Sequence, residues 1–341
     1  MIKQKLFDLY CGFQRAFNLE WLPPLIIWDV TYRCNQRCGF CPYYGKGGRV
    51  PNLNKEMSFD DVTKMVLNIT KSYLGGLYRP HIHLTGGEPL VRTDFEKIAL
   101  LLNRYLLNYS ITTNGLLLEK YIDVLKETEC SNVVLSVHDL YGRHDAITRV
   151  KGSFGKVVKN IKLLKKAGID CEVNCVITDS NVSHLSYIKN FFDKLKVPIR
   201  FQHLEWLTEQ TEKVQDVFSK KVFRKSLPMK FGTTRLSAEK VSELYFSFLK
   251  EESPSQEPRK LDINTVHQYY LSLVPFRSRC VNIYGNVRIN PCGDVYPCVD
   301  YYYGNIKKES FGKIWKGKRA RFFRKTMKDC LMPGCPRCCK L

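Results

Sequence analysis

Between residues 24 and 206 short apolar runs alternate with amphipathic stretches, and this rhythm constrains the fold more than any other feature of the chain. The runs are PLIIWDVT (24–31), HIHLT (81–85), YSITTNG (109–115), NVVLSVH (132–138), DCEVNCVIT (170–178) and PIRFQHLEW (198–206). They read as buried strands. Helical patterns lie between them at 58–74, 94–106, 118–128, 154–168 and 183–196. Ser58 with an acidic first turn reads as a helix cap, and Gly168 as a helix stop. Strands that alternate with helices imply a parallel sheet, because each parallel neighbour needs a crossover. The expected class is α/β, as a partial (β/α)6 parallel barrel. Chemistry in such sheets collects at the C-terminal ends of the strands.

Fourteen cysteines fall unevenly along the chain. Cys34, Cys38 and Cys41 stand in CNQRCGFC, directly after the first strand. Cys280, Cys292, Cys298, Cys330, Cys335, Cys338 and Cys339 crowd the end. Tight thiol groups in a chain without a signal-peptide pattern point to metal. Cys11, Cys130, Cys171 and Cys175 read as small buried hydrophobes. Structural zinc takes four protein ligands, so three clustered thiols suit it poorly. His81 and His83 could complete a zinc site only if the fold returned them to the cysteines. Iron–sulfur clusters are also held by thiolates, and a four-iron cluster with three of them keeps one iron open to a ligand. Gly86-Gly87 follows the second strand and Asn114-Gly115 the third, so the special residues share one rim.

The C-x3-C-x2-C loop, with Phe40 before its last cysteine, and TGGEP at 85–89 together resemble the signature of the radical S-adenosylmethionine (radical SAM) enzymes. The resemblance implies a SAM-binding [4Fe-4S] cluster on Cys34, Cys38 and Cys41. It implies SAM contacts at Gly86, Gly87, Glu88, Pro89, Asn114 (in TTNG) and Ser136 (in VLSVHD), with Glu88 offering a carboxylate near the ammonium group. It further implies reductive cleavage of SAM to a 5′-deoxyadenosyl radical that abstracts hydrogen from a substrate, and an electron donor such as flavodoxin or ferredoxin. His138, Asp139, His144, Arg149, His203 and Glu205 are further candidates for lining the pocket, with a satisfied core or rim histidine as the plain reading of His138.

Cys280, Gly293 and Cys298 resemble the opening of the SPASM/twitch region of a radical SAM subgroup. That resemblance implies an auxiliary [4Fe-4S] cluster on Cys280, Cys298, Cys335 and Cys338, with Cys292, Cys330 and Cys339 in reserve. A second auxiliary cluster, or a zinc ribbon in the tail, stays open. The domains expected are an N-terminal amphipathic helix (1–23), the radical SAM (β/α)6 core (24–206), a helical connector (207–275) and the SPASM/twitch domain (276–341).

Formal net charge is +21, from 54 basic and 33 acidic residues. A solvated basic surface, an anionic substrate, an acidic peptide, a membrane surface or nucleic acid would each fit that balance. The basic residues form no single arm, and no recognition helix or stacking platform stands out. The amphipathic stretch 2–19 reads as packing on the body of the protein, with a membrane surface as the alternative. No apolar run reaches eighteen residues, so no transmembrane helix is expected, and the location expected is cytoplasmic. The function read from the sequence is a radical SAM oxidoreductase acting on a small molecule. A maturase of a ribosomally made peptide is the alternative within the class. A zinc- or cluster-containing nucleic-acid-binding protein is the alternative outside it, and it leaves TGGEP unexplained.

Overall fold

The computed structural model describes residues 2–45, 52–73, 78–203, 209–223, 238–252, 280–297 and 301–328. Six parallel strands appear where the rhythm placed them: β1 (Leu25–Thr31), β2 (His81–Gly86), β3 (Tyr109–Thr113), β4 (Val133–Ser136), β5 (Cys171–Ile177) and β6 (Ile199–His203). Helices α2 (Phe59–Ser72), α3 (Phe95–Arg104), α4 (Ile122–Glu127), α6 (Ser153–Ala167) and α7 (Leu185–Lys194) connect them. Ser58 caps α2 in a reciprocal box with Asp61, and Gly168 closes α6 in the left-handed conformation. The sheet is open rather than closed, with strand order β6-β5-β4-β3-β2-β1-β7-β8-β9.

Alternation along each strand separates two faces. One carries Ile26, Trp28, Leu84, Ile111, Leu135 and Val173, all buried in the core beneath the helices. The other face is mixed, with polar side chains set among Ile27, Val134 and Val176. It carries Asp29, His83, Thr112, Ser136, Asn174 and Gln202. Side chains link neighbouring strands across it. His83 bridges Ser110 (2.8 Å) and Thr112 (2.9 Å), and Asn174 donates to Gln202 at 2.9 Å.

Three features lay outside the sequence reading. A further helix, α5 (Tyr141–Thr148), follows β4. Within the connector expected to be helical (207–275), the described residues form two helices, α8 (Glu209–Phe223), whose place the sequence did not mark, and α9 (Ala238–Glu252). Most consequentially, the C-terminal region joins the core sheet. β7 (Asn286–Ile289) pairs parallel with β1, and β8 (Asp294–Tyr296) and β9 (Gly304–Asn305) continue antiparallel. Arg288 on β7 holds Asp29 on β1 side-on, with contacts of 2.6 and 2.8 Å. Two short helices, α10 (Phe311–Trp315) and α11 (Lys318–Thr326), pack behind, with Phe311, Trp315 and Phe323 fully buried. The N-terminal helix α1 (Ile2–Phe17) lies against this region, where Gln14 donates to the Tyr284 carbonyl at 2.6 Å. Among the described residues no helix is long and apolar enough to cross a membrane.

Candidate active site

Four chain segments meet at the C-terminal ends of β1, β2 and β3. The cysteine loop leaves β1 and is fixed first at its base. Glu56 accepts the Thr31 hydroxyl (3.0 Å) and the Tyr32 N–H (2.6 Å). The loop then docks on the end of α5. The N–H groups of Arg37 and Gly39 donate to the carbonyls of Thr148 (3.1 Å) and Ile147 (3.2 Å). The last carbonyls of a helix have no partner within it, and here the loop satisfies two of them. Phe40 is wedged edge-on against the His138 ring, 4.8 Å between centroids.

Within this loop the backbone addresses the sulfurs. The Gln36 N–H lies 3.4 Å from Cys34 Sγ, and the Tyr44 N–H 3.5 Å from Cys41 Sγ. Burial raises the Cys34 thiol to about 11. It raises Cys38 to about 12, with the two neighbouring cysteines adding and the Arg149 charge opposing. A cation bound at this loop would favour the thiolate form. Gln36 Nε2 is also buried without a hydrogen-bond partner. Three sulfurs, two N–H groups aimed at them and an orphaned donor beside them fit an iron–sulfur cluster, whose sulfurs accept such hydrogen bonds. His81 and His83 stay on the mixed sheet face with Ser110, so they do not make this a zinc site.

The Gly-Gly turn after β2 crosses directly over the base of the cysteine loop. Gly87 N–H donates to the Thr31 carbonyl and Glu88 N–H to the Arg33 carbonyl, both at 2.8 Å. A Cβ at Gly86, where φ is +127°, would lie 2.4 Å from the Thr31 oxygen; one at Gly87 would lie 2.3 Å from the Arg33 oxygen. Only glycine permits this approach. Pro89 opens a single 3-10 turn, Pro89–Val91.

Glu88 is only 1% exposed, and internal donors surround it. Its carboxylate accepts the Asn114 N–H (2.7 Å), the Thr113 hydroxyl (2.7 Å) and the Leu90 N–H (3.1 Å). Burial raises its pKa to about 7 against the pull of these hydrogen bonds. Its evident work is to fasten the Gly-Gly turn to the end of β3. Asn114 in turn reaches the cysteine loop, donating to Asn35 at 2.7 Å and lying 4.0 Å from Cys34 Sγ. Ser136 ends β4 on the mixed face, in register with Asn174.

The remaining candidates divide. His138 is a packed, satisfied histidine: its Nδ1 accepts the Val176 N–H, and Asn181 holds its carbonyl. Burial lowers its pKa to about 3, so the ring stays neutral. His144 accepts the His138 N–H at 3.2 Å and is also neutral, lowered by burial to about 4. Asp139 is tied to Arg143 and His184. Arg149, left-handed at the end of α5, is exposed, and its positive charge works to lower the Cys38 thiol. His203 lies on the face opposite Gln202 and packs against Tyr245 of α9, centroids 4.8 Å apart; this corrects its reading as a pocket residue. Glu205 lies outside the described residues. So do Cys298, Cys330, Cys335, Cys338 and Cys339. Cys280 is half-buried, and Cys292 sits in the β7–β8 turn, where Asn290 accepts its N–H.

Comparison with known proteins decides the family. Residues 28–186 match the radical SAM superfamily, and residues 280–339 match the SPASM iron–sulfur cluster-binding domain. The chain is a radical SAM enzyme with a C-terminal SPASM domain. A radical SAM enzyme of this type carries a SAM-binding [4Fe-4S] cluster and auxiliary iron–sulfur. The chain is 27% identical over 313 residues to the GTP 3′,8-cyclase of Aquifex aeolicus, spanning 88% of this chain and 92% of that one. It is 24% identical over 308 residues to the Fe-coproporphyrin III synthase of Methanosarcina barkeri, spanning 86% and 73%. Its fold resembles that of Streptococcus suis SuiB bound to S-adenosylmethionine, with a TM-score of 0.61 at 14% identity over 90% of this chain and 68% of SuiB. It also resembles anSMEcpe with bound AdoMet, with a TM-score of 0.60 at 18% identity over 87% and 81%.

Proposed function

We propose that this radical SAM enzyme oxidises a small polar molecule held against the mixed face of its sheet. The observation that carries the reading is that face itself: His83, Thr112, Ser136, Asn174 and Gln202 share one face of the sheet whose first strand leads into Cys34, Cys38 and Cys41. When bound, the cluster and SAM supply a 5′-deoxyadenosyl radical by one-electron cleavage.

The residues of the chain have distinct parts. Cys34, Cys38 and Cys41 hold the SAM-binding cluster, and the N–H groups of Gln36 and Tyr44 stabilise thiolate charge. Glu88 is engaged by Asn114, Thr113 and Leu90, so the backbone of Gly86, Gly87 and Pro89 meets the ammonium end of SAM, and Glu88 positions that backbone. Asn114 and Ser136 complete the SAM contacts. Asn174 and Gln202 orient substrate. Cys280, Cys298, Cys335 and Cys338 would hold an auxiliary [4Fe-4S] cluster, which would supply one-electron redox chemistry for substrate oxidation; flavodoxin or ferredoxin would supply electrons to the first cluster.

Relatives of comparable coverage named for GTP and for Fe-coproporphyrin III support a non-peptide substrate, and both names describe anionic molecules, in keeping with the basic chain. The second reading, peptide maturation, is favoured by the fold shared with SuiB, which has also been solved bound to its precursor peptide SuiA. Fractionated cell extract separates the two. Under reductant, the dialysable fraction is expected to raise 5′-deoxyadenosine formation, and the Asn174→Leu variant to lose that stimulation while keeping basal SAM cleavage. Stimulation by the retained peptide fraction alone would move the assignment to a maturase.

A further inference from the structure

Helix α1 is amphipathic twice over. One side is used up by the protein: Cys11 and Gln14 are buried, and Tyr10 donates to the Leu22 carbonyl. The apolar side is left outside. Leu6, Leu9, Phe13 and Phe17 are 59%, 68%, 45% and 62% exposed. At 3.6 residues per turn they fall within an arc of about 80°. Phe13 contacts Phe17 (4.5 Å between centroids) and stacks on Trp21 (5.8 Å), which is itself exposed. A soluble surface seldom carries so continuous an apolar stripe without an occupant.

The neighbouring element says what the occupant is. Helix α11, KRARFFRKT, contains no acidic residue. Lys318, Arg321, Phe322 and Lys325 are exposed on one face of it. That face adjoins the end of α1: Arg321 holds Glu20 side-on at 2.6 and 2.8 Å, and Lys328 reaches Asn18 at 2.9 Å. Trp315 donates to the Trp21 carbonyl at 2.9 Å, locking the two parts together. An apolar stripe of Leu, Phe and Trp bordered by exposed Lys and Arg, in a chain of net charge +21, is complementary to an anionic bilayer surface. Nucleic acid would use the basic face and leave the apolar stripe in water. We infer that α1 and α11 form one membrane-docking surface, which seats the enzyme on anionic lipid with the aromatic side chains in the headgroup boundary and the lysines at phosphate level.

Vesicle co-sedimentation of the full, anaerobically reconstituted chain tests this. The probes are vesicles of phosphatidylcholine alone and of phosphatidylcholine mixed with phosphatidylserine, at low and high salt. The protein is expected to pellet with the phosphatidylserine vesicles at low salt and to be largely released at high salt. The Leu9→Ser/Phe13→Ser/Phe17→Ser variant, altered only at exposed positions, is expected to lose at least about tenfold in binding. It should cleave SAM as the wild type does, which shows that it is folded. Lys318→Gln/Lys325→Gln is expected to lose about fivefold per lysine removed. Wild-type protein left in the supernatant with every vesicle, or a triple-serine variant that pellets as well as wild type, overturns the inference. So does a concentration-dependent dimer that the triple-serine variant abolishes, since that assigns the stripe to a second copy of the chain.

Discussion

Glu88 and Gly87 show how single residues hold the rim together. Removing the Glu88 carboxylate strands two buried N–H groups and one hydroxyl, each worth about 1–3 kcal/mol when unsatisfied. Glu88→Ala is therefore expected to lower stability by about 3 kcal/mol in urea denaturation. It should also abolish SAM cleavage, because Asn114 loses its anchor. Gly87→Ala places a methyl group against the fixed Arg33 and Tyr32 carbonyls, at 2.3 and 2.5 Å, so the turn must lift off the cysteine loop. A loss of about 2 kcal/mol is expected, with deoxyadenosine formation failing by more than that loss of folded protein explains. Wild-type turnover in Gly87→Ala would show that the close crossing is dispensable. His138 makes the residue scale pH-dependent. Its ring is buried and neutral, with its pKa lowered from 6.5 to about 3. Between those values the unfolded chain binds a proton that the folded one refuses, so stability present above pH 6.5 is lost as pH falls. By about pH 5 this amounts to about 2 kcal/mol. His138→Gln, which keeps an acceptor for the Val176 N–H, should flatten the fall in urea midpoint between neutral and mildly acid pH.

At the scale of elements, the site depends on two contacts that local sequence does not display. The six strands were legible because each carries an alternating or continuous apolar run, and TGGEP and CNQRCGFC were legible because their residue types are rare in combination. α5 was not. YGRHDAIT has no apolar stripe, and what makes it matter is tertiary: its terminal carbonyls receive the cysteine loop. Nor could NVRI be placed beside LIIWDVT, since parallel pairing across most of the chain leaves no local signal. The Asp29–Arg288 pair records that junction. Asp29 is 2% exposed, and Arg288 is the only described side chain that donates to it. Arg288→Ala is expected to cost about 3 kcal/mol by leaving a buried carboxylate alone. Adding Asp29→Asn should return part of that loss, a coupling that a double-mutant cycle in urea would read. Additive effects would mean that β7 is held to β1 by its backbone ladder alone. His203 shows the limit of parity arguments from the opposite side. A residue at the end of a strand is a candidate for the pocket, but it packs against Tyr245 of α9, an element whose packing onto β6 no local pattern announces.

For the molecule as a whole, one chain combines a radical SAM region with a SPASM iron–sulfur cluster-binding domain. In the proposed function the cysteine loop after β1 serves the radical chemistry, and the SPASM region, continuous with the same sheet through β7, serves the auxiliary cluster. The shared sheet joins the two physically: β7 pairs with β1, the strand from which the cysteine loop leaves. The most direct test is to reconstitute the wild type and the Cys34→Ala/Cys38→Ala/Cys41→Ala variant anaerobically, add SAM and dithionite, and measure 5′-deoxyadenosine alongside protein-bound iron. The account predicts product from the wild type, none from the variant, and about four irons still bound to the variant on its auxiliary cysteines. Deoxyadenosine from the triple variant, or a wild type that binds zinc instead of iron and leaves SAM intact, would contradict it.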